Sequence, residues 1–477
     1  MSFCQKSLYL GRERGVEMFK SAYILNMQTE NIPVLEVNDI QATVLRPRPS
    51  PYRGQYVVLR IDDAAQGREM LRRIIPYVAP AEDWWLTTLP GWMGIAFTYH
   101  GLKALGLPAT SLETFPQEFR EGMASRAPIL RDVGDSAPSN WEYPFGTPDM
   151  HVAIAIYAKD EESLEATLAM ARQSHHDLPN ISVVYRLRFS ELPNGRNPFG
   201  FKDGLHNPNV EGSGAVVHPG SGRPIKAGEF IMGYPDELGV TASKPEPEVL
   251  RRNGTFVAFR KFQMRVAAFR KYVREQASSP EEEELIAAKM VGRWRSGAPL
   301  VLASDSDDPE LGADQKRNNA FSYEDDMQGL KCPFSAHIRR VNPRDALKNE
   351  LVATNLHQFL RRGTNYGPPL PEGVLEDDGV QRGGVFLLIG VHQRQQFEFV
   401  QSQWITDGNF ISHGREEDPI LGNSGTEGIF TIPKRPVRRR LHGLPQFVAV
   451  QGGEYCFMPG LRALKWLAGL EAGGMTE

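Results

Sequence analysis

The strongest constraint on the fold is an alternation of two periodicities along the chain. Short segments rich in β-branched and aromatic residues occupy 55–61 (QYVVLRI), 151–157 (HVAIAIY) and 182–189 (SVVYRLRF), and each suits a strand. Between them lie stretches of helical period. Met70, Leu71, Ile74 and Ile75 share one face of a helix over 64–75, and 161–172 reads as a second helix. Residues 39–45 and 95–99 add two further strands, the latter leading into a short helix over 102–105 that Gly106 and Pro108 stop. Strand, helix, strands, helix, strand is the order that a ferredoxin-like α+β unit produces.

The same alternation recurs further on. Strands are expected at 230–234 and 255–259, followed by a helix carrying Phe262, Val266, Phe269 and Val273 on one face. Ser279 and Pro280 ahead of four glutamates supply an N-cap, a first-turn proline and dipole-compatible acids for a helix running towards Trp294. The apolar run 385–391 suits a strand buried on both faces. Residues 447–450 and 455–458 predict a terminal hairpin around Gly452-Gly453, and Leu461, Leu464 and Leu467 a last helix. The stretch 300–330 is polar and reads as loop. A chain of 477 residues is too long for one ordinary core. The reading is therefore α+β: tandem ferredoxin-like domains with antiparallel sheets and peripheral helices, 37–215 and 216–477, behind a leader over 1–36 expected to be disordered.

Charge and composition exclude several function classes. A net charge of −4 gives no reason to invoke nucleic acid or an anionic membrane surface. No apolar run approaches 18 residues, and the first residues lack the apolar centre of a signal peptide. Three cysteines (Cys4, Cys332, Cys456) with no CxxC spacing argue against a disulfide framework. The expectation is a cytoplasmic protein. The 35 prolines and 45 glycines suggest long shaped loops of the kind that wall a cofactor pocket.

Three segments carry candidate chemistry. NPFGFKDGLHNP (197–208) presents Asp203 between Gly200 and Gly204, from a turn where backbone can approach a flat ligand closely; taken alone it equally describes an ordinary Asx-type turn. KCPFSAHIRRVNPRD (331–345) sets His337 ahead of Arg339, Arg340 and Arg344. An anionic cofactor would need such guanidinium donors, and a basic solvated face is the alternative. LRRGTNYGPP (360–369) carries Arg361 and Arg362 before Gly363, where a helix C-terminal turn with dipole-compensating arginines is the bland reading.

Together, and in this order, GFKDG, AHIRRVNPR and RRGTNYG resemble the dye-decolorising peroxidase family. DIQATVLR, GTFVAFRKF (254–262), FLLIGVHQRQQFEFVQ (386–401) and RRRLHGLPQFVAVQGGEYCFMPG (438–460) extend the resemblance over about residues 37–470. It implies the dimeric α+β barrel fold and one b-type heme per chain, bound in the C-terminal half. The heme would be non-covalent, since no CxxCH motif occurs. It further implies His337 as the iron ligand and Asp203 and Arg361 as the peroxide-activating pair. Gly204, Leu205, His206, Asn342, Pro343, Arg344 and Arg361 are the implied heme contacts.

The residue types suit those roles. Neutral histidine can ligate iron and leave the opposite face open. A carboxylate can shuttle the peroxide proton, which favours activity below neutral pH. An arginine can stabilise charge as the O–O bond breaks. The expected partners are hydrogen peroxide and a small organic reductant, consumed through a ferryl intermediate. A non-catalytic heme binder or heme-iron-release protein is the alternative. Oligomeric state stays open, a homo-oligomer included. His392 stands where relatives often place a carboxylate or asparagine, so either His392 or Glu398 is expected to be the hydrogen-bond partner of His337. Tyr366, Trp404 and Tyr455 are candidates for relaying electrons at the surface, or for core packing.

Overall fold

The computed structural model describes residues 34–82, 89–218, 222–347, 353–410, 414–423 and 425–470. The leader expected over 1–36 lies outside them except for its last three residues.

Eight strands form one antiparallel sheet. In chain order they are β1 (Arg53–Ile61), β2 (Gly91–Phe97), β3 (Val152–Ala158), β4 (Ile181–Ser190), β5 (Thr255–Met264), β6 (Leu360–Tyr366), β7 (Gly383–Gly390) and β10 (Val448–Met458). A separate hairpin pairs β8 (Gly428–Ile432) with β9 (Arg439–Leu444). The order β4-β1-β3-β2-β10-β5-β7-β6 contains one pattern twice. In each four-stranded half the first strand is central, flanked by the fourth and the third, with the second outermost. This is the ferredoxin-like arrangement, and it arises because each helical crossover must return beside a strand already laid down. The halves meet where Phe97 of β2 pairs with Phe457 of β10, and again where β4 packs beside β6.

Helices form where the periodicity placed them. Helix α1 (Ala64–Ile74) is capped by the Asp63 carboxylate on the Gln66 N–H and buries Met70, Leu71 and Ile74. Helix α2 (Glu161–Gln173) is capped by Asp160 in the same way. Helix α3 (Val266–Gln276) is followed by α4 (Pro280–Val291), whose Ser279 accepts from Glu282 N and whose left-handed Gly292 ends it. The last is α6 (Leu461–Ala468).

Five local expectations are corrected. The helix C-terminal turn read over 360–369 is instead strand β6, in which Arg361 and Arg362 face Leu388 and Leu387 of β7. Residues 39–45 are no strand: Ala42–Leu45 is a helical turn. The buried Gln41 amide accepts from Ile95 N and donates to the carbonyls of Ile95 and Pro459, taking over the bonding a strand backbone would supply. Residues 230–234 turn at Gly233 (φ +93°) and exchange backbone bonds with Asn253 and Gly254. The helix after β5 starts at Val266 because Phe262 is held in the ladder by β10 and β7. The hairpin around Gly452-Gly453 is instead one bulged strand, β10. A Cβ on Gly452 would lie 2.4 Å from the Phe145 ring and one on Gly453 2.4 Å from Met123 Sδ. The glycines admit neighbouring side chains rather than reverse the chain.

Buried polar groups tie the halves together. Arg260 of β5 forms a bidentate pair with Asp132, both contacts 2.7 Å. Glu454 of β10 accepts from Met123 N and Tyr455 N, each at 2.8 Å, and burial pushes its carboxyl up to about 7. A raised carboxyl favours the fold most below its ordinary value near 4.5, and that contribution is lost as pH rises through about 7. Glu229, raised to about 7 by burial, acts in the same direction. Glu454→Gln keeps an acceptor and removes the ionisation. It is expected to remove on the order of 3 kcal/mol of the stability lost between pH 5 and pH 8, read as a smaller fall in Tm over that range. An unchanged slope would rule the assignment out.

Candidate active site

The segment carrying His337 is held from both ends. Upstream, the Asp326 carboxylate accepts from Lys331 N, Cys332 N and Arg339 Nη1, at 3.0, 2.8 and 3.1 Å. Tyr323, Cys332 and Ala336 sit in a small apolar cluster against Ala288 of α4 and Trp294. The short helix α5 (His337–Val341) starts there. Downstream, the buried Arg340 guanidinium donates to three backbone carbonyls, those of Trp404, Asp407 and Glu416. It thereby fastens Asp407 and the loop at Glu416 to α5.

That loop delivers the partner of His337. Asp418 Oδ2 lies 2.8 Å from His337 Nδ1, while its Oδ1 accepts from Ile420 N and Leu421 N. Burial opposes ionisation of Asp418, yet the charge of His337, its hydrogen bond, Leu421 N–H and Arg340 hold the carboxyl below its usual range. Neither partner expected from sequence is there. His392 Nε2 faces Asp236 Oδ2 at 3.5 Å, and Glu398 pairs with Arg126 and accepts from Tyr455. With Nδ1 engaged by a carboxylate, Nε2 is the atom of His337 available for coordination.

A second group of residues gathers around His206. Arg361, at the start of β6, receives the Asn207 side chain on its N–H and donates from Nη2 to the His206 carbonyl at 2.6 Å. Asn342 Nδ2 lies 3.5 Å from His206 Nε2, and Asn342 Oδ1 accepts from Arg344 N. Arg344, left-handed at φ +51°, stacks 3.9 Å from the Phe321 ring and donates to the carbonyls of Asn319 and Phe321. Arg293 donates to the carbonyls of Gly297 and Asn318 and to Asn319 Oδ1, and Asn319 donates to the Leu205 carbonyl. Burial first, then the charges of Arg361, Arg344 and Arg293, hold the His206 imidazole well below its ordinary value, so it is neutral. Burial lowers Arg361 and Arg293 to about 10, well above neutrality, so both stay cationic.

The structure therefore brings His206, Asn342, Arg344 and Arg361 together, with Leu205 joined to them through Asn319. Pro343 lies between Asn342 and Arg344, and its carbonyl accepts from Ala346 N. Asp203 is not hydrogen-bonded to Arg361, although its negative charge partly offsets the lowering of the Arg361 pKa by burial. Its Oδ2 accepts from Arg48 Nη2 at 2.7 Å and its Oδ1 from Gly204 N at 2.7 Å. Arg48, Arg293, Asn319 and Asp418 were missed in the sequence. The acid-rich REED run around Asp418 was visible but reads as an exposed turn. Tyr366, Trp404 and Tyr455 are 4%, 3% and 1% exposed, so none can act at the surface.

The donor set fits heme. Largely buried guanidiniums bonded mainly to carbonyls leave positive charge that propionates would neutralise, and His337, its Nδ1 engaged by Asp418, would have Nε2 free to serve as an imidazole ligand. Among the described residues no cluster of three or more His, Cys, Asp or Glu could hold a metal ion. No helix among them is long and apolar enough to cross a membrane.

Comparison with known proteins places this arrangement. The family model described as the DyP dimeric alpha+beta barrel domain matches residues 39–190. The chain is 31% identical over 406 residues to the dye-decolorizing peroxidase msp1 of Mycetinis scorodonius, covering 78% of this chain and 75% of that one. It is 31% identical over 476 residues to a dye-decolorizing peroxidase of Mycena epipterygia, covering 91% and 87%. A fungal DyP-type peroxidase from Auricularia auricula-judae superposes with a TM-score of 0.79 at 29% identity, covering 91% of this chain and all of that one. The fold, the ordered motifs and these likenesses agree: the chain belongs to the dye-decolorizing peroxidase family.

Proposed function

We propose that the chain reduces hydrogen peroxide at a non-covalently bound b-type heme, one per chain, and oxidises dyes, phenols or other small organic reductants. The observation that supports it best is the meeting of loop 197–208 with the start of β6. There a carboxylate and a buried guanidinium come within electrostatic reach beside the cationic surroundings of His206. His337 Nε2 would ligate iron, and Arg344, Arg293 and Asn342 would receive the propionates. The heme, when bound, supplies the iron centre at which peroxide is reduced and the oxidising equivalents that reductants consume. The division of the chain into heme-free and heme-binding halves near residue 215 belongs to the same proposal, as does a reducing, cytoplasmic setting. Buried Cys332 and Cys456, neither in a disulfide, support the latter.

Each residue then has a definite task. The Asp418 carboxylate accepts the hydrogen bond from Nδ1–H of His337, which fixes the tautomer and makes Nε2 more basic. Asp203 accepts a proton from one peroxide oxygen and returns it to the other as that oxygen departs. Arg361 holds positive charge where negative charge develops on the departing oxygen. Its hydrogen bond to the His206 carbonyl aims the fork.

Rapid mixing of the heme-loaded protein with one equivalent of peroxide, followed in the visible spectrum, tests the reading. A fast spectral change is expected, and Asp203→Asn is expected to slow it about 100-fold or more while the resting spectrum stays that of the parent. A heme carrier needs His337 and the arginines but no acid. Unchanged spectra on mixing would favour that role, whereas an Asp203→Asn variant as fast as the parent would leave Arg361 alone as the activating group.

A further inference from the structure

We infer that Arg48 is a positioning residue for peroxide activation, acting through Asp203; the inference rests on the reading of Asp203 as the proton-transfer group. Arg48 lies between the Ala42–Leu45 turn and β1, about 150 residues before Asp203 in sequence. Its Nη2 donates to Asp203 Oδ2 at 2.7 Å, and its Nη1 donates to the carbonyl of Gly363, two residues beyond Arg361 on β6. The guanidinium stacks 4.5 Å from the Tyr52 ring. The Tyr52 hydroxyl accepts from the backbone N and the Nδ2 of Asn365, both at 3.2 Å. One planar cation thus touches the loop that carries the acid, the strand that carries Arg361, and a ring bonded to that strand.

An exposed ion pair would deserve no such weight, but this contact is built. The two side chains are only 20% and 27% exposed. Gly204 is left-handed (φ +74°), and a Cβ there would stand 3.2 Å from Arg48 Nη2, so glycine leaves the guanidinium its place. The remaining carboxylate oxygen is taken by Gly204 N, so both oxygens of Asp203 are engaged and its rotamer is defined. A fork with two hydrogen bonds and a stacked face restrains position as well as charge, which lysine does only in part. Arg48 therefore determines where the Asp203 carboxylate stands relative to β6.

A double-mutant cycle tests this in the heme-loaded protein. Arg48→Leu, Arg48→Lys, Asp203→Asn and the Arg48→Leu/Asp203→Asn pair are compared by two readouts. One is the second-order rate with peroxide; the other is the rate of cyanide binding followed in the absorption spectrum, which involves proton loss from the ligand but no turnover. Arg48→Leu is expected to slow both about tenfold, and Arg48→Lys to recover part of each. In the Asp203→Asn background, Arg48→Leu is expected to add less than a factor of two. Additive losses would overturn the proposal, because Arg48 would then act independently of the carboxylate. Wild-type rates in Arg48→Leu with slow Asp203→Asn would refute the role of Arg48 alone. An unaffected Asp203→Asn would instead remove the reading beneath it. If Arg48→Leu fails to retain heme, the same non-additivity is required of Arg48→Lys.

Discussion

His337→Ala is expected to yield protein with almost no Soret absorbance after heme-replete expression, the largest single effect at this site. Nε2 of His337 is the only imidazole nitrogen that the fold aims from α5 with its ring oriented by a buried carboxylate. The arginines around His206 remain in this variant, so weak porphyrin association through propionates persists without axial ligation. The substitution also leaves Asp418 fully buried without its histidine. Bonds from Ile420 N and Leu421 N remain, so the added instability is about 1–2 kcal/mol rather than the larger cost of a wholly orphaned charge. His337→Ala/Asp418→Asn removes that charge. Loss of the Soret band in both variants, with circular dichroism like the parent, assigns the loss to ligation. A full Soret band in His337→Ala would exclude His337 as the iron ligand.

Arg361→Leu is expected to retain heme and to react with peroxide about 100- to 1,000-fold more slowly, the size expected when a preorganised donor to a developing anion is removed. Burial makes this cation effective, because charge interactions are stronger where water is excluded. The same burial lowers the guanidinium only to about 10, so the charge is present throughout the neutral range. Arg361→Lys restores a charge but loses the fork that donates to the His206 carbonyl, and recovery is expected to be partial. Stopped-flow rates across the three proteins check this. A leucine variant within threefold of the parent would remove Arg361 from peroxide activation.

Both predictions rest on residues whose motifs were visible in the chain, and the residues supporting them were not. GFKDG, AHIRRVNPR and RRGTNYG are local signals, each complete within a few residues. By contrast, Asp418 meets His337 across 81 residues. The choice expected from sequence, between His392 and Glu398, failed because both lie beyond β7 in a segment that faces other partners. His392 turns to Asp236, and Glu398 is taken by Arg126 and Tyr455. Arg48 was overlooked for a similar reason. The Arg46-Pro47-Arg48-Pro49 stretch carries no local pattern, and the meaning of Arg48 comes from Asp203 and Gly363 reaching it from distant parts of the chain.

Much of the short-range physics was legible: the cap at Ser279, the apolar faces of α1 and α3, and the β-branched strands. Where a local rule failed, a tertiary contact had displaced it, as the Gln41 amide did at 42–45 and the Phe145 ring did at Gly452. The sequence by itself determined most of the helices and central strands, the family motifs they carry, and that His337, Asp203 and Arg361 are the residues to examine. Only the tertiary structure decided which carboxylate orients His337, which cation holds Asp203, and which arginines gather at His206. Periodicity and capping act over one or two turns of chain, whereas these pairings join residues far apart in sequence, and the arginines gather at His206 only once the two halves have met.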